Sequence, residues 1–131
     1  MTTAYVLKDG IDIGSLLSAY EQFHEGLNKA QSDLEKAGVI KLFEITFELS
    51  WKTMKRIIAA RGKEANSPKQ VIREAALEKL IEGPEVWFTF IDERNETVHT
   101  YNRKVANSIF AELHKFDKEV SAFIERIKKL K

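Results

Sequence analysis

The sequence predicts an all-α fold, a single domain over residues 1–131 built from four long helices and one short one. Three observations carry this expectation. Apolar residues recur at alternating spacings of three and four along the long segments, and no stretch alternates at period two. Six glycines and two prolines leave few places for turns. The length of 131 residues, with 44% hydrophobic and 31% charged, suits one packed core and not a disordered chain.

Residues 1–13 form a lead without helical period. The first stripe is Leu16, Tyr20, Phe23, Leu27, Ala30 and Leu34, with Gly38 as the expected interruption. A second helix is expected from Val39 to Ala60, stopped by Gly62. Ser67-Pro68-Lys69-Gln70 reads as a helix start: serine cap, proline at the first position, glutamine three residues after the cap. This short third helix holds Val71, Ile72, Ala75, Ala76 and Leu80, and Gly83-Pro84 ends it. The fourth segment runs from Glu85 to about His99. The last helix starts near Asn102 or Arg103, with Ala106, Ile109, Leu113, Phe116, Val120, Phe123, Ile127 and Leu130 as its stripe.

Composition excludes several function classes. A net charge of +1 argues against a strongly basic nucleic-acid coat, though not against a local basic site. The charge is uneven: residues 1–40 carry −3, 41–63 carry +4, 64–102 carry −4 and 103–131 carry +4. Either helices of opposite sign complement each other with solvated faces, or the second and last segments build a basic groove. The absence of cysteine removes disulfides, zinc–thiolate sites and cysteine nucleophiles. No apolar run approaches the roughly 20 residues of a membrane span, and the N-terminus lacks a signal-peptide pattern, so the expected compartment is the cytoplasm. There is no glycine-rich phosphate loop, no zinc-binding helix motif and no serine nucleophile elbow, and no cofactor is expected.

The second helix is apolar on two sides. Val39, Phe43, Phe47, Ser50, Met54 and Ile57 share one face, while Leu42, Ile45 and Leu49 lie well round from it. Such a helix is either central in the bundle or shared between the core and a homodimer interface. Glu44, Glu48, Lys52 and Lys55 occupy the remaining strip, and Trp51 sits beside Glu44 at the edge of the main face.

The fourth segment contains an anomaly. Arg94 falls among Val86, Trp87, Phe90, Ile91 and Val98 on the helical wheel. An arginine there must be paired, stacked on a ring, or placed at an anion-binding opening. On a straight helix Tyr101 lies about 20° from Arg94 and His99 about 140° away, sharing a face with Asn95 and Phe88. Arg94 and His99 therefore serve one site only if the helix kinks near residues 97–101 or a second subunit supplies one of them. The alternative is a buried salt bridge from Arg94 to Glu44 or Glu48, with His99 and Tyr101 as hydrogen-bonded packing residues.

The run Arg94-Asn95-Glu96-Thr97-Val98-His99-Thr100-Tyr101 has the form Arg-x-x-x-x-His-x-Tyr. Phe43-Glu44-Ile45-Thr46-Phe47-Glu48-Leu49-Ser50-Trp51-Lys52 and Ser67-Pro68-Lys69-Gln70-Val71-Ile72-Arg73-Glu74-Ala75 precede it. These three blocks, in this order over about residues 15–125, resemble the nucleotidyltransferase substrate-binding proteins, a branch of the HEPN superfamily. The resemblance implies an up-and-down, HEPN-like bundle that forms homodimers. It also implies association with a separate minimal nucleotidyltransferase encoded nearby, commonly as a toxin–antitoxin pair. The chain lacks the Gly-Ser and paired aspartates of the transferase itself, so it would need that partner to transfer nucleotides.

Two functions are compatible with the resemblance. In one, the helical subunit binds the transferase's substrate. In the other, it resembles a metal-independent ribonuclease that the partner neutralises, in some pairs by placing adenylate on the motif tyrosine, here Tyr101. In the second reading His99 moves protons and Arg94 holds phosphate oxygens in its two-donor fork. Asn95 orients His99 or binds a phosphate or ribose oxygen, and Tyr101 donates a hydrogen bond or accepts adenylate. The binding candidates are Asn95, Tyr101, Glu44, Glu48 and Trp51, and the bound partner is RNA or a nucleotide. Glu44 and Glu48 are expected to pair with Arg94, Arg73 or a nearby lysine and not to hold a metal. His24 and His114 are expected to have no catalytic role.

Overall fold

In the computed structural model residues 5–130 are described, and they form an up-and-down helical bundle. The helices are α1 (Gly14–Lys29), α2 (Asp33–Ala60), α3 (Pro68–Leu77), α4 (Glu85–Glu96) and α5 (Arg103–Lys128), with a 3-10 turn at Thr97–His99. Residues 1–4 of the lead, and Lys131, lie outside the described residues. The rest of the lead is not helical. It doubles back through a bridge between Val6 and Asp12, with the Ile13 amide donating to the Tyr5 carbonyl at 2.7 Å, and so buries Leu7 and Ile13 against the bundle.

The first helix boundary differs from expectation. The break falls at residues 30–32, and Gly38 lies inside α2. Ser32 and Glu35 form a capping box: the Ser32 hydroxyl accepts from the Glu35 amide at 3.1 Å, and the Glu35 carboxylate accepts from the Ser32 amide at 2.9 Å. Two otherwise orphaned amides are satisfied there, which outweighs the periodicity that carried Leu34 along. Leu34 is 83% exposed and belongs to α2, not to the α1 core stripe.

The ends of α2 and α3 are chemically alike. Gly62 sits at φ +82°, so the Lys63 amide reaches the Ile58 carbonyl and the Gly62 amide the Ala59 carbonyl. This is the double closure that glycine favours just past a helix. Lys79 takes the same left-handed conformation at φ 61°, which turns Leu80 back into the core beyond the α3 cap, not within α3 as the sequence suggested.

The core is aromatic and centred on Phe116 of α5. Its ring makes edge-to-face contacts with Phe43 (4.8 Å between centroids), Phe90 (5.1 Å) and Phe23 (5.4 Å). Trp87 packs edge-on to Phe90 at 5.3 Å. Edge-to-face pairs add to the area they bury because ring edges and faces carry opposite partial charge. The predicted main face of α2 is buried in full. Of its second strip, Leu42 and Leu49 are half-buried and Ile45 is 40% exposed. α2 packs against each of the other four helices and is the central element, while part of the strip stays uncovered. No helix among the described residues is long and apolar enough to cross a membrane.

Candidate functional site

The fourth segment turns at Thr97–His99, within the stretch where a kink is one of the two expected solutions. α4 ends at Glu96, and the Thr97 hydroxyl donates to the Arg94 carbonyl at 2.6 Å, closing a tight turn. The Asn102 side chain then caps α5 by accepting from the Lys104 amide at 3.0 Å. A continuous helix would put Tyr101 over Arg94; the turn sends it elsewhere. Val98, expected on the apolar face of α4, is 65% exposed for the same reason.

Two pairs result. His99 Nδ1 lies 3.3 Å from the Tyr101 hydroxyl, with the rings edge-to-face at 5.9 Å. Both side chains are exposed, Tyr101 by 84%. Arg94 Nε lies 3.7 Å from a Glu48 carboxylate oxygen of α2, and both side chains are 36% exposed. Glu48 is thus one of the two carboxylates expected to face Arg94, but the pair is part-exposed and not buried, and His99 and Tyr101 pair with each other at the surface and not within the packing. Among the described residues, no hydrogen bond or ion pair joins Arg94 to His99.

The Arg94 pair is loose. At 3.7 Å the Nε–H is beyond good hydrogen-bond range, and this buried nitrogen has no other partner among the described residues. Glu48 also faces Lys52 at 3.6 Å. Glu44, one turn earlier, meets Lys41 at 3.1 Å. Burial raises the Glu44 carboxyl, but Thr97 and Lys41, with the charges of Lys41 and Arg94, outweigh this and hold it below the ordinary range. Glu44 is thus kept ionised near Arg94, and Glu48 faces the guanidinium on one side without a hydrogen bond. Arg73, the other expected partner, instead lies over the Phe88 ring at 5.5 Å. Asn95 is exposed on the last turn of α4, and Trp51 is half-buried with its indole N–H unpaired among the described residues.

Residues 11–129 match the family described as "nucleotidyltransferase substrate binding protein like". The chain belongs to this family. All three sequence blocks lie inside the matched range. The Phe43–Lys52 block supplies the buried face of α2 together with Glu44 and Glu48, the Ser67 block caps α3 through the Gln70 amide, and the third block ends α4 and carries the turn.

Two solved structures share the fold. A Thermus thermophilus protein aligns at a TM-score of 0.82 and 30% identity, covering 87% of this chain and 99% of that one. A Haemophilus influenzae protein aligns at 0.77 and 29% identity, covering 87% and 97%; its structure is described as revealing the fold of a substrate binding domain of a nucleotidyltransferase. Also similar is the Haemophilus influenzae protein named "Probable ribonuclease HepT", 35% identical over 97 residues. That match spans 70% of this chain and 66% of the relative's length.

Sequence reasoning missed Glu93. One of its carboxylate oxygens is buried without a partner beside a pocket of about 330 Å3 between α4 and α5, which Glu93 helps to line. Burial, then the charges of Glu112 and Asp92, push it up to about 7 despite Lys115. The acidic run Asp92-Glu93 was visible in the sequence; its proximity to Glu112 was not. His24, set aside in the sequence, is held by Asp117 at 3.0 Å.

Proposed function

We propose that this chain is the helical subunit of a two-protein system, pairing with a separate minimal nucleotidyltransferase and binding, or itself being, its substrate within a toxin–antitoxin pair. The single observation that carries this is Tyr101, 84% exposed and with its hydroxyl against His99. A nucleotidyltransferase can reach that hydroxyl without unfolding anything. The oxygen would attack the α-phosphorus of a nucleoside triphosphate, pyrophosphate would leave, and His99 Nδ1 stands within reach of the phenolic proton. Family membership and the solved relative described as a substrate binding domain support the pairing. Incubation with the neighbouring transferase and ATP should add one adenylate to wild type and none to Tyr101→Phe. Adenylate on Tyr101→Phe, or no complex between the two proteins, refutes this reading.

A second reading has its own support: a metal-independent ribonuclease using His99 and Arg94 in a dimer cleft. The ribonuclease name of the 35% identical relative favours it, as does the partial exposure of Arg94. RNA carries its own nucleophile. Its 2′-oxygen attacks the adjacent phosphorus, the bond to the 5′-oxygen breaks, and a cyclic phosphate and a 5′-hydroxyl result. Exposed His99 would exchange the protons, and Arg94 would meet the charge that builds on phosphate oxygens. Arg94 and His99 are not joined within one chain, so a second copy completing the site suits this geometry, and exposed Ile45 and Val98 suit an interface. Cleavage of transfer RNA in EDTA, lost in His99→Ala and Arg94→Ala variants that remain folded, is the expected result. Cleavage unchanged in His99→Ala removes that residue as the proton carrier, and a monomer by sedimentation at micromolar concentration removes the composite site.

A further inference from the structure

A pocket of about 220 Å3 opens beside Tyr101, between the first turns of α2 and α5. Asp33, Lys36 and Ala37 line it from α2, and Arg103, Ala106 and Asn107 from α5. In both sets the second and third residues follow the first by three and four, which places each set on one face of its helix. The space exists because alanine occupies both helices where a larger side chain would fill it.

Its chemistry is specific. The exposed Tyr101 ring forms part of the wall and offers a stacking face. Arg103 is anchored through Nε to Asp33 at 3.2 Å, which presents a guanidinium plane, the other group on which bases stack. Lys36 is held by the Phe110 ring at 5.4 Å and adds positive charge. The Asn107 amide offers one donor group and one acceptor, the pairing that reads the edge of a base. The volume lies below the roughly 300–1,000 Å3 of pockets for drug-sized ligands and suits one planar ring system.

We propose that this pocket is a nucleobase subsite. It takes the base of one nucleotide, stacked on Tyr101, and sets that nucleotide's ribose and phosphate beside His99. The hydrogen bond between Tyr101 and His99 is the physical link, because the ring that stacks the base also carries the hydroxyl that touches the proton carrier. The role of the subsite in cleavage rests on the ribonuclease reading; the binding of a base does not.

The test uses full-length protein with 13C-labelled alanine methyls. Three ligands are titrated: a 2′-O-methyl RNA trinucleotide, which cannot be cut, its abasic counterpart, and 5′-AMP. The Ala37 and Ala106 methyl signals should move with both base-bearing ligands and not with the abasic one. Ala37→Leu, a good helix former at an exposed position, should weaken trinucleotide binding about tenfold. Asn107→Ala should change which base is preferred. Movement with AMP but not with the trinucleotide assigns the subsite to a free nucleotide and overturns its role beside an RNA chain. Equal shifts with the abasic ligand, no shift with any ligand, or unchanged affinity in Ala37→Leu overturns the proposal. Shifts that persist in a chain without ribonuclease activity remove only the ribonuclease reading; cleavage without shifts removes only the subsite.

Discussion

Replacing Glu93 by glutamine should stabilise the protein at pH 8 and leave it nearly unchanged at pH 4. The Glu93 carboxyl is pushed from an ordinary 4.5 to about 7, first by burial and then by Glu112 and Asp92. The folded state therefore holds this proton more tightly than the unfolded chain does. Folding gives up nothing at Glu93 below about pH 4.5, where both states are protonated. The cost develops as pH rises toward 7 and is complete above it, where the folded protein must carry a poorly solvated charge. At about 1.4 kcal/mol per decade the full difference would be on the order of 3 kcal/mol. Glu93 is only half-buried, and water screens much of this, so about 1–2 kcal/mol is the expected gain for Glu93→Gln at pH 8. Urea unfolding of both proteins at pH 4 and pH 8 measures the gain directly, as a shift of midpoint at constant slope. An equal gain at both pH values would assign the effect to packing and refute the electrostatic argument. No gain at pH 8 would refute the burial of the charge.

The remaining expectations concern the scaffold. Phe116→Ala should cost about 3–5 kcal/mol in chemical denaturation, because it removes the ring on which Phe23, Phe43, Phe90 and Trp87 pack edge-on. A cost under about 1 kcal/mol would mean that the neighbouring rings close the gap. Ser32→Ala should cost about 1 kcal/mol by removing half of the capping box, with faster hydrogen exchange at the Glu35 amide as its local signature.

The sequence carried the helix faces well and the helix ends unevenly. The main face of α2 was legible because burial on one side of a 3.6-residue period leaves a direct trace. Ser67-Pro68 was legible because a cap serine and an N1 proline have few other uses. The α1–α2 break was not, although Ser32 and Glu35 stood at capping-box spacing. Leu34 happened to extend the α1 stripe, and Gly38 offered a more conspicuous stop. In a helix of 28 residues one exposed glycine costs about 1 kcal/mol, which the flanking turns absorb.

The motif shows the same limit. Its residues were recognisable, and the geometric conflict between Arg94 and His99 on a straight helix left a kink or a second subunit as its solutions; the chain does turn at Thr97–His99, but the turn does not join the two side chains. What one-dimensional reasoning could not supply was the pairing after that bend, because Val98 keeps phase with α4 in sequence while Thr97 and Asn102 end it in space. Once α4 stops, Arg94 belongs to the acidic edge of α2, and Tyr101 lines a pocket between α2 and α5 with His99 against its hydroxyl. The turn thus separates two features along a short stretch of chain: a cation loosely facing Glu48 at the bundle wall, and an exposed imidazole–phenol pair beyond it. That separation leaves Tyr101 exposed and clear of the core, so under the proposed function a substitution at Tyr101 should abolish adenylate transfer with little effect on stability.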